Sequence, residues 1–404
     1  MSVAGAQSLG RDIRVIGVVG VAHGLSHFYQ LALVTLLLVV RPQFGLSYTD
    51  IGVLGAIFYA VSGVGQTAAG FAVDRFGARP VLTFGLLSAA SAFGLIALLG
   101  RDFWTLVPLV TIAGIGNCVF HPADFAILNA SVDSRRLGRA YSVHGLGGTL
   151  GWVAASVIYF LSEMFGWRIA AASASAVGVL VAAAVMSQGH AMTDHRVARR
   201  ASGASGAFDV SALFSVPILV CMLYFVFVAI TVVGVQQFSV PALQAMFPLS
   251  RDAAIWSLNA LLLGSAVGVV AGGWLADSAS RHDAIAAGGL LAAGALSAVI
   301  ATGAIPALLV LPLMALTGFA GGVTGPSRDM IVRGATPPGA SGKVFGFVYS
   351  GLDVGSMLGP PVFGWLIDHG MPHGMFWGAF AIYLLNVLTV LQIRRFSRPR
   401  AAMA

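Results

Sequence analysis

Twelve apolar runs, each about long enough to cross a bilayer, take up most of this 404-residue chain. They lie near 14–38, 48–72, 80–99, 104–129, 139–162, 168–187, 213–240, 252–275, 283–302, 305–332, 343–366 and 373–393. A hydrocarbon core takes roughly 20 apolar residues as α-helix. A helix satisfies its own backbone hydrogen bonds there, so each run is predicted to be a transmembrane helix. Composition leads to the same solvent. The chain is 58% hydrophobic and 9% charged, against roughly 25% charged in a soluble domain. Too few charges remain to cover a soluble surface, which excludes the water-soluble enzyme classes and the disordered class. The net charge is +7, yet the basic residues are scattered between apolar runs and form no face interleaved with aromatics. Nucleic-acid binding is excluded on that ground. Cys118 and Cys221 both sit inside apolar runs, placed for neither a disulfide nor a zinc site. No small-residue cleavage site follows the first run, which is expected to be a retained span.

The connections are short except one. Residues 188–212 are polar, Arg-bearing and rich in Gly, Ser and Ala, which is linker composition. The expected organisation is a bundle over 1–187, this linker, and a second bundle over 213–404. With the N-terminus inside, seventeen of the 22 Lys and Arg fall on the inner side and four on the outer, with Arg328 left within a span. That bias predicts cytoplasmic termini and a cytoplasmic linker. It also accounts for the positive charge without an anionic partner.

The two halves repeat. FGLS at 44–47 matches FPLS at 247–250, and Gly65, Gly70 and Asp74 match Gly268, Gly273 and Asp277. One residue further in register, Pro122, Gly138, Gly147 and Gly151 match Pro326, Gly342, Gly351 and Gly355. One half is therefore six helices, and both halves share one orientation because six is even. The expectation is an all-α integral membrane fold of twelve helices in two six-helix bundles. The parallel pseudo-two-fold repeat suits rocking around a site at the bilayer midplane.

GFAVDRFGARP at 70–80 resembles the loop signature between spans two and three of the major facilitator superfamily, through Gly70, Asp74, Arg75, Gly77 and Arg79. The second copy at 272–283 keeps Gly273, Asp277 and Arg281. The likeness covers the whole chain: spans, linker, signature and repeat. It implies a secondary transporter whose signature loop locks the cytoplasmic side when the cavity opens outward. Carboxylate Asp74 beside a helix N-terminus would meet its positive dipole end. GIGNCVFHPAD at 114–124, followed by LGRAYSVHGLGGTLG at 137–151, resembles the fosmidomycin-resistance-type branch of drug exporters. Two features depart from common superfamily patterns. Thr111, Ile112 and Ala113 stand where many proton-coupled members carry an Arg before Gly-x-Gly. Trp152 stands where the antiporter signature on span five has proline.

Polar groups at membrane depth each need a reason, because an unpaired one costs several kcal/mol. Span one carries His23 and His27 at i, i+4, with Gln30 one turn on. They are either interhelical hydrogen-bonding groups or cavity-lining proton carriers. Span four carries Asn117, His121, Pro122 and Asp124. Pro122 cannot donate to the Cys118 carbonyl, so a helix break is expected there. His121 and Asp124, three residues apart, form a candidate proton-coupling pair, or else Asp124 caps the inner end of the span. His144 shares a face with Gly148 and Gly151 on span five, where glycines permit close helix approach.

In the second half, Arg328 stands at the repeat position of Asp124. It is read as an inter-bundle charge partner, as a cationic anchor for an anionic substrate, or as a snorkelling side chain. Asp353 lies within span eleven among Gly351, Gly355, Gly359, Pro360 and Pro361, of which Gly355, Gly359 and Pro360 are read as packing or helix-breaking residues.

The function expected is secondary active transport of a small organic molecule, drug or metabolite, outward across the inner membrane and coupled to protons. No Walker-type loop is present, so ATP is not the expected energy source. No cofactor or resident metal is expected, and the chain is expected to be a monomer in the lipid bilayer. The alternatives are proton-coupled uptake of an organic anion, transition-metal transport through the His/Asp cluster, and a non-transporting membrane sensor. An intramembrane hydrolase lacks both Gly-x-Ser-x-Gly and His-Glu-x-x-His.

Overall fold

The computed structural model describes residues 9–133, 136–193, 213–278, 281–335 and 341–397, and these are helices joined by short turns. In the first half they are α1 (Leu9–Phe44), α2 (Tyr48–Phe76), α3 (Ala78–Leu99), α4 (Phe103–Asn117), α5 (Phe120–Ser131), α6 (Leu137–Ala154), α7 (Val157–Phe165) and α8 (Trp167–Ser187). In the second they are α9 (Val216–Met246), α10 (Arg251–Ser278), α11 (His282–Ala301), α12 (Val310–Ala335), α13 (Ser341–Asp368) and α14 (Pro372–Ser397). Eleven segments among the described residues are long and apolar enough to cross a membrane. The 28-residue α13 occupies the place of the remaining expected span. Two spans are each built from two helices: α4 and α5 form one, α6 and α7 the other. Cys118 and Cys221 are both buried free thiols.

The chain packs as two units. Unit 1 comprises Met1–Leu46 and Ile57–Gly206, and unit 2 comprises Ser47–Ala56 and Ala207–Ala404. The first turns of α2 thus pack with unit 2. There Asp368 accepts from the backbone N–H of Tyr48 at 2.9 Å and of Thr49 at 2.7 Å, satisfying donors that a helix start leaves open. Of the expected linker, residues 194–212 lie outside the described residues.

Unit 1 is held by backbone contact between α1 and α6. A Cβ at Gly24 would stand 2.9 Å from the Gly147 carbonyl oxygen, and one at Gly147 would stand 2.6 Å from that of Gly20. Gly151 meets the Gly24 carbonyl in the same way. Glycine is required here for approach, since helix–helix association in lipid rests on packing rather than on hydrophobic exclusion. Unit 2 repeats the device. Gly351, Gly355 and Gly359 of α13 lie against the carbonyls of Met222, Val226 and Ile230 of α9.

A polar clasp closes the end of unit 1 at which α1 begins. Asp12 is fully buried and accepts from Arg136 Nε at 2.6 Å and from the Asp133 backbone N–H at 3.2 Å. Arg11 donates to the Ala191 carbonyl at 2.8 Å and to Thr193 Oγ1 at 2.6 Å, and the Thr193 N–H donates to Ser131 Oγ at 2.9 Å. The segment leaving α8 is thereby tied to α1 and to the end of α5. At the start of α4, Asp102 caps the helix in a reciprocal capping box with Thr105. The Thr105 backbone N–H holds the Asp102 carboxyl below the usual carboxylate range.

Substitutions along the seam and in the clasp test this packing. Gly24→Ala overpacks the α1–α6 contact and should destabilise by about 1–3 kcal/mol. Gly17→Ala, with nothing within 4 Å, should be neutral or stabilising by up to about 1 kcal/mol. Thermal unfolding in detergent compares the pair, and equal behaviour would contradict the contact. Asp12→Ala leaves Arg136 without its buried acceptor and should lower stability by about 1–3 kcal/mol, with Asp12→Asn milder, by the same measurement.

Candidate functional site

The break between α4 and α5 presents the candidate site. Helix α4 ends at Asn117, Cys118 and Val119 keep near-helical backbone angles, and α5 restarts at Phe120. Pro122 is the third residue of α5. It sits in a first turn, where a missing N–H goes unused, and it removes the donor that would have reached back to Cys118. His121 precedes it and Asp124 follows it on this short helix. In unit 2 the repeat-related Pro326 lies inside an unbroken α12, so the break is confined to the first half. The second interruption, at Ala155 and Ser156 between α6 and α7, falls inside the expected fifth span.

Asp124 is fully buried. His23 Nδ1 of α1 lies 3.1 Å from its Oδ2, and His144 Nε2 of α6 lies 3.2 Å from the same oxygen. An ionised carboxylate only accepts, so with Asp124 charged each ring turns an N–H toward it. The two rings stack, centroids 3.5 Å apart and planes 20° from parallel. The glycine contact makes this possible: α1 and α6 carry His23 and His144 on the faces that touch. The other carboxylate oxygen, Oδ1, is buried with no hydrogen-bond partner among the described residues.

His27, one turn along α1, has its centroid 4.6 Å from His23 and 4.4 Å from Trp152. Its Nδ1 is also buried without a partner. His121 is more open, with its centroid 5.2 Å from His23 and 6.1 Å from His144. One ring nitrogen from each of His23, His121 and His144 falls within 4.8 Å of the others.

A row of polar side chains runs beside the histidines. Trp152 Nε1 donates to Gln30 Oε1 at 3.2 Å, Gln30 Nε2 to Asn117 Oδ1 at 3.3 Å, and Asn117 Nδ2 to Ser62 Oγ at 2.8 Å. The structure thus gathers His23, His27, Gln30, Asn117, His121, Asp124 and His144 in unit 1. Sequence reasoning missed Trp152 and Ser62. The available signal was the spacing of Trp152, eight residues after His144 and four after Gly148, on one helical face.

Arg328 and Asp353 lie in unit 2. Arg328 Nε donates to its neighbour Asp329 at 2.9 Å, and the guanidinium lies 4.6 Å over the Phe225 ring. Tyr349 also donates to Asp329, at 3.0 Å. Arg328 is only 20% exposed, turned inward onto aromatic rings rather than extended away. Asp353 is half-buried on α13, and Pro360 lies inside that helix.

At the signature loop, Gly70 has open space around it, and Asp74 and Arg75 are exposed at the end of α2. Gly77 links α2 to α3 at φ 98°, a conformation that favours glycine. Arg79 donates to the Met186 carbonyl at 3.4 Å. Asp277 lies near the end of α10, and its side chain is outside the described residues.

Comparison with known proteins agrees with this architecture. The family model of the Major Facilitator Superfamily matches residues 19–242 and again 226–403. The fosmidomycin resistance protein of Escherichia coli is 24% identical over 390 residues, covering 93% of this chain and 92% of that one. A probable 4-methylmuconolactone transporter of Cupriavidus pinatubonensis is 28% identical over 131 residues, a match spanning 31% of this chain and 30% of the relative. Among solved structures, a mutant form of the nucleoside transporter NupG superposes with a TM-score of 0.77 at 13% identity, covering 95% of this chain and 99% of that one. A bacterial homologue of the lysosomal transporter Spinster gives 0.72 at 16% identity, covering 98% and 100%. With a family model matched across both halves of a multi-pass helical fold, the chain belongs to the Major Facilitator Superfamily of membrane transporters.

Proposed function

We propose that this chain is a proton-coupled secondary transporter that exports a small organic molecule, drug or metabolite, by alternating access. The observation that carries the reading is the buried Asp124, with one oxygen shared by His23 and His144 and the other unpartnered. A carboxylate at that depth costs about 2.5–3.5 kcal/mol and persists where function requires it. The imidazoles of His23 and His144 stand within hydrogen-bonding distance of that carboxylate, which gives a proton somewhere to pass. The full-length likeness to a fosmidomycin resistance protein supports export. The orientation read from the basic residues puts both termini on the cytoplasmic side of a bacterial inner membrane, with the chain acting as a monomer. Asp74, Arg75 and Arg79 then serve as the inner gate. Any ligand that binds one access state more tightly shifts the equilibrium toward it.

Uptake of an organic anion is less favoured, because Arg328 is engaged by Asp329 and that pair carries no net charge. The three convergent imidazole nitrogens favour a transition metal as the second reading of the cargo.

Everted vesicles, scanned over a drug and metabolite panel with and without a pH gradient, should show gradient-dependent accumulation. Asp124→Asn should abolish that accumulation while leaving counterflow exchange intact. Undiminished proton-driven accumulation in this variant would remove Asp124 from the coupling role. Calorimetry with zinc on the purified chain should show no binding at micromolar concentration. Micromolar binding lost in His121→Ala would transfer the cluster from protons to metal. Absence of flux for every compound, with the fold intact, would favour a sensor.

A further inference from the structure

The residue that organises this site is one to which neither sequence motif nor family likeness assigns a part. We propose that Trp152 is its positioning residue, holding His27 with its ring and fixing the direction of the neighbouring hydrogen-bond chain with its N–H. The inference rests on the transport reading for its purpose but not for its geometry.

The ring comes first. Gly148 and Trp152 are one turn apart on α6 and form a slot for His27. A Cβ at Gly148 would stand 2.8 Å from His27 Cε1 and 2.9 Å from its Nδ1, so the imidazole fills the space a larger residue would take. The indole lies against the same imidazole, centroids 4.4 Å apart at 38°. Neither contact is a hydrogen bond to His27, whose Nδ1 is buried and unpartnered. Shape alone therefore holds the ring beside His23, its neighbour in the stack on His144.

The N–H comes second. A glutamine or asparagine amide fits its space equally well in either of two orientations, and its hydrogen-bond partners decide between them. An indole N–H can only donate. It donates to Gln30, so the Gln30 oxygen faces Trp152 and the Gln30 nitrogen faces Asn117. The Asn117 oxygen is thereby the acceptor, and its nitrogen is left to donate to Ser62. Ser62 is fully buried, and its oxygen accepts at the far end. One donor-only group on α6 thus sets the polarity of a chain crossing α1, α4 and α2. Gln30 stands three residues after His27 on α1, so the ring and the N–H act on adjoining turns.

The test uses the purified full-length chain in detergent, without cargo or gradient. Diethyl pyrocarbonate, which acylates neutral imidazole, is the probe, and mass spectrometry reads each histidine separately. His27 should be protected in the unsubstituted protein. Trp152→Leu should raise its modification rate roughly tenfold, and Trp152→Phe, which restores a ring without the N–H, should return protection. The N–H is read by fluorescence. Subtracting the Trp152→Phe spectrum isolates the Trp152 emission from that of the six other tryptophans. Gln30→Leu should shift that emission to shorter wavelength, because the indole loses its acceptor.

Equal His27 labelling in Trp152→Leu and the parent would overturn the ring role. An emission indifferent to Gln30→Leu would overturn the N–H role. A melting temperature for each variant within a few degrees of the parent separates these outcomes from misfolding. If Trp152→Leu melts early, Trp152→Met supplies the ringless arm. Should the vesicle assays find no flux while labelling and emission respond as stated, the transport reading fails and the positioning role stands.

Discussion

Everything at the candidate site depends on two helix backbones touching. Along Gly20, Gly24, Gly147 and Gly151, α1 and α6 approach until carbonyl oxygens lie where side chains would otherwise begin. No apolar solvent exclusion favours that approach in lipid, so it rests on dispersion contact over a long, smooth seam. Once the backbones are this close, side chains flanking the seam have little room to choose. His23 and His144 stack at 3.5 Å because the helices that carry them leave no wider option. Their nitrogens then converge on a single oxygen of Asp124, which α5 brings in from the side.

That convergence explains why the helix break lies where it does. An unbroken span four would have to spend its polar backbone inside its own ladder. By ending α4 at Asn117 and restarting at Phe120, the chain gains a short helix, and Pro122 tolerates the restart in the first turn. Broken helices at membrane depth are stable where protein covers them. Here Val119 and Phe120 are buried on the α3 side, with Gly85 making space for Val119. The carboxylate is thus carried by a helix packed on α3 rather than by a loop.

Much of this was legible in the sequence, for physical reasons. Span length follows from bilayer thickness, and the repeat's glycines mark close contacts that both halves make. The i, i+4 histidines advertise a shared face, whereas the hydrogen-bond partners of Asp124 are His23 and His144 on other helices rather than His121 three residues before it. Other features were not legible. The contact of Asp12 with Arg136 joins residues 124 apart, and no local pattern announces it. Trp152 read as a departure from a motif, because its partners Gln30 and His27 sit on another helix. The ion pair of Arg328 with Asp329 was open to view in adjacent residues, yet a guanidinium at depth invites a search for distant partners before near ones.

The duplication sharpens the difference between the halves. In unit 1, Gly147 and Gly151 meet the carbonyls of Gly20 and Gly24; in unit 2, Gly351 and Gly355 meet those of Met222 and Val226. The same packing relation therefore puts Phe225 at the place of His23, and Arg328 at the place of Asp124. Unit 2 keeps a contact between these positions, with the guanidinium 4.6 Å over the Phe225 ring. An aromatic face attracts a cation as an imidazole N–H attracts a carboxylate, so one scaffold supports opposite charges at matched repeat positions. The chemistry differs in what it can exchange. A guanidinium on a phenyl ring stays charged throughout, whereas a carboxylate between two imidazoles can change its proton count. Asp329 balances the guanidinium in unit 2, whereas the neighbours of Asp124 in unit 1 are imidazoles.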